Sequence, residues 1–143
     1  MFQLHPQLEA DTVLVGRFPL SLLLLSRDAN YPWCILVPQR EGVKEIYQLD
    51  AADQRQLLQE SCTLAECMAG LFAADKMNIA TIGNMVAQLH MHHIARFKSD
   101  AAWPGPVWGA MAPVAYSEDM LAHRVARIAA SLEPQGLVPD QPL

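Results

Sequence analysis

The segment Ala87-Gln88-Leu89-His90-Met91-His92-His93-Ile94-Ala95-Arg96-Phe97 holds three of the chain's five histidines and reads as a β-strand. Side chains alternate between the faces of a strand, so Gln88, His90 and His92 are expected on one face and Leu89, Met91 and His93 on the other. Same-face neighbours then stand roughly 7 Å apart, two rises of about 3.3 Å. Two imidazoles at that spacing can meet one bound group, and a phosphate or a metal ion would each suit them. Catalytic zinc usually takes three protein ligands. His93 faces away on a regular strand, which leaves Cys34 as the third ligand if its strand lies alongside.

Working outward, residues 77–82 read as a strand joined to the histidine strand by a turn at Gly83-Asn84. Near the start, residues 12–18 and 20–26 read as two strands separated by Pro19, the second a continuous apolar run as in a strand buried on both faces. Arg27-Asp28-Ala29-Asn30-Tyr31-Pro32 has turn chemistry, and Trp33-Cys34-Ile35-Leu36-Val37 forms a third short strand stopped by Pro38. A long helix is predicted from Asp50, whose carboxylate can cap it with Asp53 three residues on. Leu57, Leu58, Cys62, Ala65, Met68, Ala69 and Phe72 recur at steps of three and four along it, and Asp75-Lys76 closes it. A second helix spans 118–132, capped by Ser117, with Leu121, Val125, Ile128, Ala129 and Leu132 on one side. The Pro- and Gly-rich tail from Pro134 is expected to be loosely held. Short connections suggest two hairpins. The expected fold is α+β, a mostly antiparallel five-stranded sheet with the long helix packed on it and a C-terminal helix, in a single domain over residues 1–143.

Composition narrows the function classes. The chain has 143 residues, 52% hydrophobic, enough for one domain with a real core. Ten basic against fifteen acidic side chains leave a formal charge of −5, without the basic excess that extended nucleic-acid binding usually needs. The opening Met-Phe-Gln-Leu-His-Pro shows no basic n-region or apolar h-region, so no signal peptide is expected. The apolar run at Leu20 is far shorter than the roughly 20 residues of a membrane span. Cys34, Cys62 and Cys67 are odd in number and lack zinc-type CxxC spacing. A reducing, cytoplasmic setting with no nucleic-acid or membrane partner is expected.

Residues 78–97, Asn78-Ile79-Ala80-Thr81-Ile82-Gly83-Asn84-Met85-Val86 followed by Ala87 through Phe97, resemble the signature region of the histidine-triad (HIT) family, His-x-His-x-His followed by two apolar residues. Tyr31-Pro32-Trp33-Cys34-Ile35-Leu36-Val37-Pro38 resembles that family's Pro-Gly-His-apolar strand. Asp100-Ala101-Ala102-Trp103-Pro104-Gly105-Pro106-Val107-Trp108-Gly109 is similar to the tail of a bacterial branch with Gln at the first triad position. The likeness spans most of the chain.

The resemblance implies a catalytic set of Gln88, His90 and His92, with His90 the nucleophile that forms a nucleotidyl-histidine intermediate and His92 a donor to the same phosphate. It implies hydrolysis or transfer at a nucleotide's α-phosphate, in a phosphoanhydride or phosphoramidate such as a dinucleoside polyphosphate. Asn84 and Gly83 match phosphate-contacting positions, Asp28 falls where ribose hydroxyls are held, and Asn78 is a further nucleotide-binding candidate or a plain strand end. The partners implied are a small-molecule nucleotide and a second copy in a homodimer, with at least one of Trp103 and Trp108 at the dimer contact. No cofactor and no metal are expected.

Two departures qualify the likeness. Gln88 cannot release a proton, and general acid catalysis is typically worth roughly 10²–10⁴-fold, so a slow reaction or a good leaving group is expected. Cys34 stands in the place read as the family's upstream histidine and is expected to pack as a small apolar residue. A catalytically degenerate nucleotide-binding module is one alternative, and a zinc-dependent hydrolase using His90, His92 and Cys34 another. His93 is expected at solvent or a partner, His5 and His123 at the surface, and Arg96 and Lys98 at a solvated strand end.

Overall fold

The apolar run near the start forms the middle of the sheet, as its composition dictates. The computed structural model describes residues 1–140. Strand β2 (Ser21–Ser26) is buried at every position and lies antiparallel between β1 (Thr12–Arg17) and β3 (Trp33–Pro38). Strand β5 (Met91–Arg96) pairs antiparallel with β3 on one side and with the edge strand β4 (Lys76–Ala80) on the other. A two-residue strand, β6 (Val138–Pro139), adds to β1, giving the order β4-β5-β3-β2-β1-β6.

Alternation along the strands divides the apolar residues between two layers. Leu23, Leu25, Cys34, Leu36 and Ala95 face helices α2 (Ala51–Phe72) and α3 (Glu118–Leu132), where Leu57, Leu64, Met68, Ile128 and Leu132 complete the main core. Leu22, Leu24, Ile35 and Val37 face the other way. They are covered by Leu8 of the short helix α1 (Pro6–Asp11) and by Phe2 and Leu4.

The first three strands and α3 form where the sequence predicts them, and Asp50 caps α2 through the Asp53 N–H at 2.8 Å. Other expectations need correction. Among the described residues the sheet has six strands rather than five, because the tail is held: Leu137 is 2% exposed in the main core and Val138 and Pro139 pair with Arg17 and Gly16. A Cβ on Gly16 would stand 2.5 Å from the Val138 carbonyl, so glycine permits that approach. Residues 141–143 of the expected tail lie outside the described residues. The short α1 was not predicted.

Helix α2 ends at Phe72, with Ala73 left-handed at φ 50°, and its buried face is rotated from the expected one. Leu58 is 64% exposed and Cys62 is exposed, while Glu60 and Ser61 are buried. Polar groups enter the interior because they are partnered there. The Glu60 carboxylate accepts the Leu20 and Ser21 N–H groups at 2.8 and 3.0 Å and the Gln56 amide at 2.8 Å, tying α2 to the start of β2.

Strand β5 begins at Met91 rather than Ala87, and β4 stops at Ala80. Leu89 draws the intervening chain off the sheet: it is buried in the main core and its N–H donates to the Val43 carbonyl at 3.0 Å. Substituting Glu60→Ala strands two buried N–H donors. An expected loss of about 2–3 kcal/mol would appear as a lower urea midpoint with an unchanged slope; a midpoint equal to wild type would refute the tie.

Candidate active site

Register decides which histidines can act together. His92 lies opposite Ile35 on β3 and Ala80 on β4, so it faces the α1 side, and His93 lies opposite Cys34 and Ile79, so it faces α2. His90 precedes the strand by one residue. Its ring nevertheless stands 4.8 Å from that of His92, edge-on at 72°. Each of the two histidines is only 7% exposed.

Their hydrogen bonds identify the tautomers. His90 Nδ1 is 2.7 Å from the Gln88 carbonyl, which can only accept, so Nδ1 carries the proton and Nε2 keeps a lone pair. The Trp33 indole Nε1–H donates to His92 Nδ1 at 3.0 Å, and an indole can only donate, so the His92 proton sits on Nε2. The pair therefore presents one bare nitrogen and one N–H. Burial, reinforced by His90 and His93, pushes the His92 pKa down to about 3 and keeps the ring neutral near pH 7.

Aromatic rings wall this pair. Trp33 and Trp108 lie 5.6 and 5.1 Å from the His92 ring and meet each other perpendicularly at 5.8 Å. Trp103 packs on the Arg96 guanidinium at 5.8 Å. Trp103 and Trp108, of which at least one is expected at a dimer contact, both pack within the chain, and Trp108 stays 36% exposed.

The expectations for Cys34 divide. It packs in the main core at 0% exposure, as predicted, and burial raises its thiol pKa to about 12. Its side chain lies on the α2 side with His93 and faces away from the His90–His92 pair, and the zinc reading loses its third ligand. Among the described residues no cluster of three His, Cys, Asp or Glu side chains is placed to hold a metal. The upstream residue that meets His92 is Trp33. Sequence reasoning passed over it because a shift of one residue along a strand exchanges the faces.

The remaining candidates take varied roles. Gln88 is not on the strand: its Oε1 accepts the His5 N–H at 2.9 Å and its Nε2 donates to the Gln3 carbonyl at 2.8 Å. His5 is part of this tie rather than a bystander, and its Nδ1 caps α1 by accepting the Gln7 N–H at 3.0 Å. Gly83, at φ 71°, joins Lys44, Glu45 and Gln88 in a polar cleft beside His90, and Asn84 is exposed next to it. One Asp28 oxygen accepts the Asn30 N–H and amide and the Val114 N–H at 2.9–3.2 Å, so Asp28 holds its own turn and the 112–115 segment. Asn78 accepts from Arg96 at 2.8 Å.

Arg96 is no solvated strand end. It is 1% exposed and makes a two-pronged pair with Asp100 at 2.8 and 3.0 Å, whose hydrogen bonds hold the Asp100 carboxyl down at about 2. His93 is 0% exposed rather than at solvent or a partner. Its Nδ1–H donates to the Met91 carbonyl at 3.0 Å, so Nε2 accepts the Ser61 hydroxyl at 2.7 Å and binds β5 to α2. The structure thus brings His90, His92 and the Gly83 cleft together, and places Asp28 and Asn78 in loop-holding bonds.

Burial lowers the pKa of His93 to about 4 and that of His92 to about 3. Unfolded imidazoles titrate at about 6.5, so the unfolded chain binds more protons below that pH. This contribution to stability is complete above about pH 6.5 and is lost as pH falls towards 4 and 3. Unfolding free energy should fall from pH 6.5 to 4.5 by up to about 1.4 kcal/mol per pH unit for each histidine; a flat profile would contradict two buried neutral rings.

The HIT domain family matches residues 7–99. A histidine-triad protein from Marinobacter aquaeolei is 51% identical, with a TM-score of 0.91 over 94% of this chain and 98% of that one. Histidine-triad proteins from Bradyrhizobium japonicum and Sinorhizobium meliloti are 42% and 39% identical, with TM-scores of 0.89 and 0.90. These cover 91% and 92% of this chain and 97% and 98% of theirs. Comparison with curated proteins gives no match. With more than half of its length matched by the family, and with the paired histidines on and beside β5, the chain belongs to the histidine-triad (HIT) family.

Proposed function

We propose that the protein is a nucleotide hydrolase or nucleotidyl transferase that acts at an α-phosphate through a nucleotidyl intermediate on His90. The observation that carries this reading is the pair of opposite tautomers. His90 Nε2 offers a lone pair with no protein partner among the described residues, while the adjoining His92 Nε2–H offers a hydrogen bond to a phosphate oxygen. The Gln88 carbonyl orients the nucleophile, so Gln88 serves through its backbone while its amide secures the N-terminal segment.

The cleft beside His90 supports phosphate binding by the backbone of the Gly83 turn, with the exposed Asn84 next to it and Lys44 and Glu45 of opposite charge on its rim. Among the described residues Asp28 retains one carboxylate oxygen without a protein bond, which suits a ribose hydroxyl. Asn78, whose Oδ1 accepts from Arg96, serves as a holder of the site's wall. The chemistry uses the chain's own imidazoles and calls for no cofactor. The exposed apolar residues of the β4 edge and the following loop, Ile79, Ile82 and Met85, favour a homodimer. Three free cysteines fit a cytoplasmic setting, and no described helix is long and apolar enough to cross a membrane.

The tied-up Gln88 amide favours one second reading, a module that binds nucleotides without cleaving them. Turnover separates the two. His90→Asn should lower kcat by roughly 10³-fold or more and abolish an acid-labile nucleotidyl adduct trapped from wild type. Retained turnover in that variant would end the proposal, and nucleotide binding without wild-type turnover would select the binding module.

A further inference from the structure

The indole of Trp33 has one N–H and no acceptor, so its bond to His92 Nδ1 can run only one way. The ring that makes this bond is itself held. It packs against Tyr31 at 6.4 Å, against Trp108 at 5.8 Å and against buried Ile94. His92 is therefore fixed with its proton on Nε2.

A neutral imidazole can donate that hydrogen in a hydrogen bond, but it does not release it as an acid near neutral pH. Among the described residues, no group bonded to either imidazole supplies what it withholds. His90 gives its Nδ1–H to the Gln88 carbonyl, and the Gln88 amide, which has no acidic proton, is bound to Gln3 and His5. His93 lies on the opposite face, committed to Ser61. Strand β4 presents Ala80 opposite His92, and β3 and the 103–109 segment bring Ile35, Trp33 and Trp108 to its side, none of them a proton donor that titrates near neutral pH. Lys44 and Glu45 line the cleft beside His90 without bonding either imidazole.

We propose that Trp33 is a positioning residue that locks His92 as a neutral donor, and that the site consequently takes phosphoanhydride-type leaving groups in preference to amines. The proposal rests on the nucleotidyl reading above and narrows it. In the first step the His90 Nε2 lone pair forms a bond to phosphorus, the bond from phosphorus to the bridging oxygen breaks, and its electron pair leaves on that oxygen. A phosphate or polyphosphate carries the pair away unprotonated, whereas an alkylamine would need a proton first. Water then attacks phosphorus, the phosphorus–nitrogen pair returns to Nε2, and the proton from water passes to solvent.

Two measurements test this. Nitrogen-15 NMR of the labelled protein should show His92 with Nδ1 bare and Nε2 protonated down to pH 5, and Trp33→Phe, which keeps a ring but removes the N–H, should mix the tautomers and let His92 titrate at higher pH. The opposite tautomer in wild type, or an unchanged one in Trp33→Phe, overturns the positioning role; the wild-type spectrum decides alone if the variant does not fold. In turnover, wild type should favour a dinucleoside polyphosphate over an alkyl phosphoramidate of the same nucleoside by roughly 10²-fold or more in kcat/KM. Trp33→Phe should narrow that ratio and add a pH dependence near 6–7. Equal use of both substrates by wild type overturns the preference. Absence of turnover and of an adduct on His90 defeats the nucleotidyl reading instead, and the spectra still decide what Trp33 does to His92.

Discussion

The site depends on the register of β5 between β3 and β4. With Ile35 opposite His92 and Cys34 opposite His93, adjacent histidines are sent to opposite sides of one sheet. One side is packed against α2 and takes a ring that must be satisfied internally. The other is lined by aromatics and takes a ring whose second nitrogen has no partner among the described residues. A slip of one residue would exchange the two and leave a buried imidazole without its serine.

Around that strand, buried polar groups are paired rather than excluded. Ser61 binds His93 behind the sheet, Glu60 closes the start of β2, and Arg96 gathers Asp100, Asn78 and the Gly105 carbonyl beyond the end of β5. The Ser61–His93, Glu60–Leu20 and Arg96–Asn78 bonds cross between elements distant in sequence, and with the local bonds of Arg96 to Asp100 and Gly105 they hold the strand and the 97–105 loop in one arrangement. An unpartnered buried donor or acceptor is costly, which makes such ties specific as well as stabilising. Rigidity of this kind suits a reaction that depends on positioning.

The chemistry of the pair is set by neighbours that do not titrate near neutral pH. A backbone carbonyl fixes one imidazole and an indole fixes the other, so two identical side chains become an acceptor and a donor 4.8 Å apart between ring centres. Burial and mutual repulsion then keep His92 uncharged.

Much of this was legible beforehand. The strands around the apolar run at Leu20, the amphipathic α3, the Asp50 cap and the meeting of His90 and His92 follow from local pattern and motif, because alternation, helical period and capping are properties of neighbouring residues. What lay beyond reach depends on residues far apart in the chain. The rotated face of α2 required Glu60 to find the N–H groups at Leu20 and Ser21, and the held tail required Gly16 to admit Val138. The assignment of Trp33 rather than Cys34 to the site turned on a single-residue register choice. By itself the sequence determined which imidazoles could meet on one side of the sheet. Only the tertiary structure decided which nitrogen of each carries the proton, because that is dictated by a partner the local pattern does not contain.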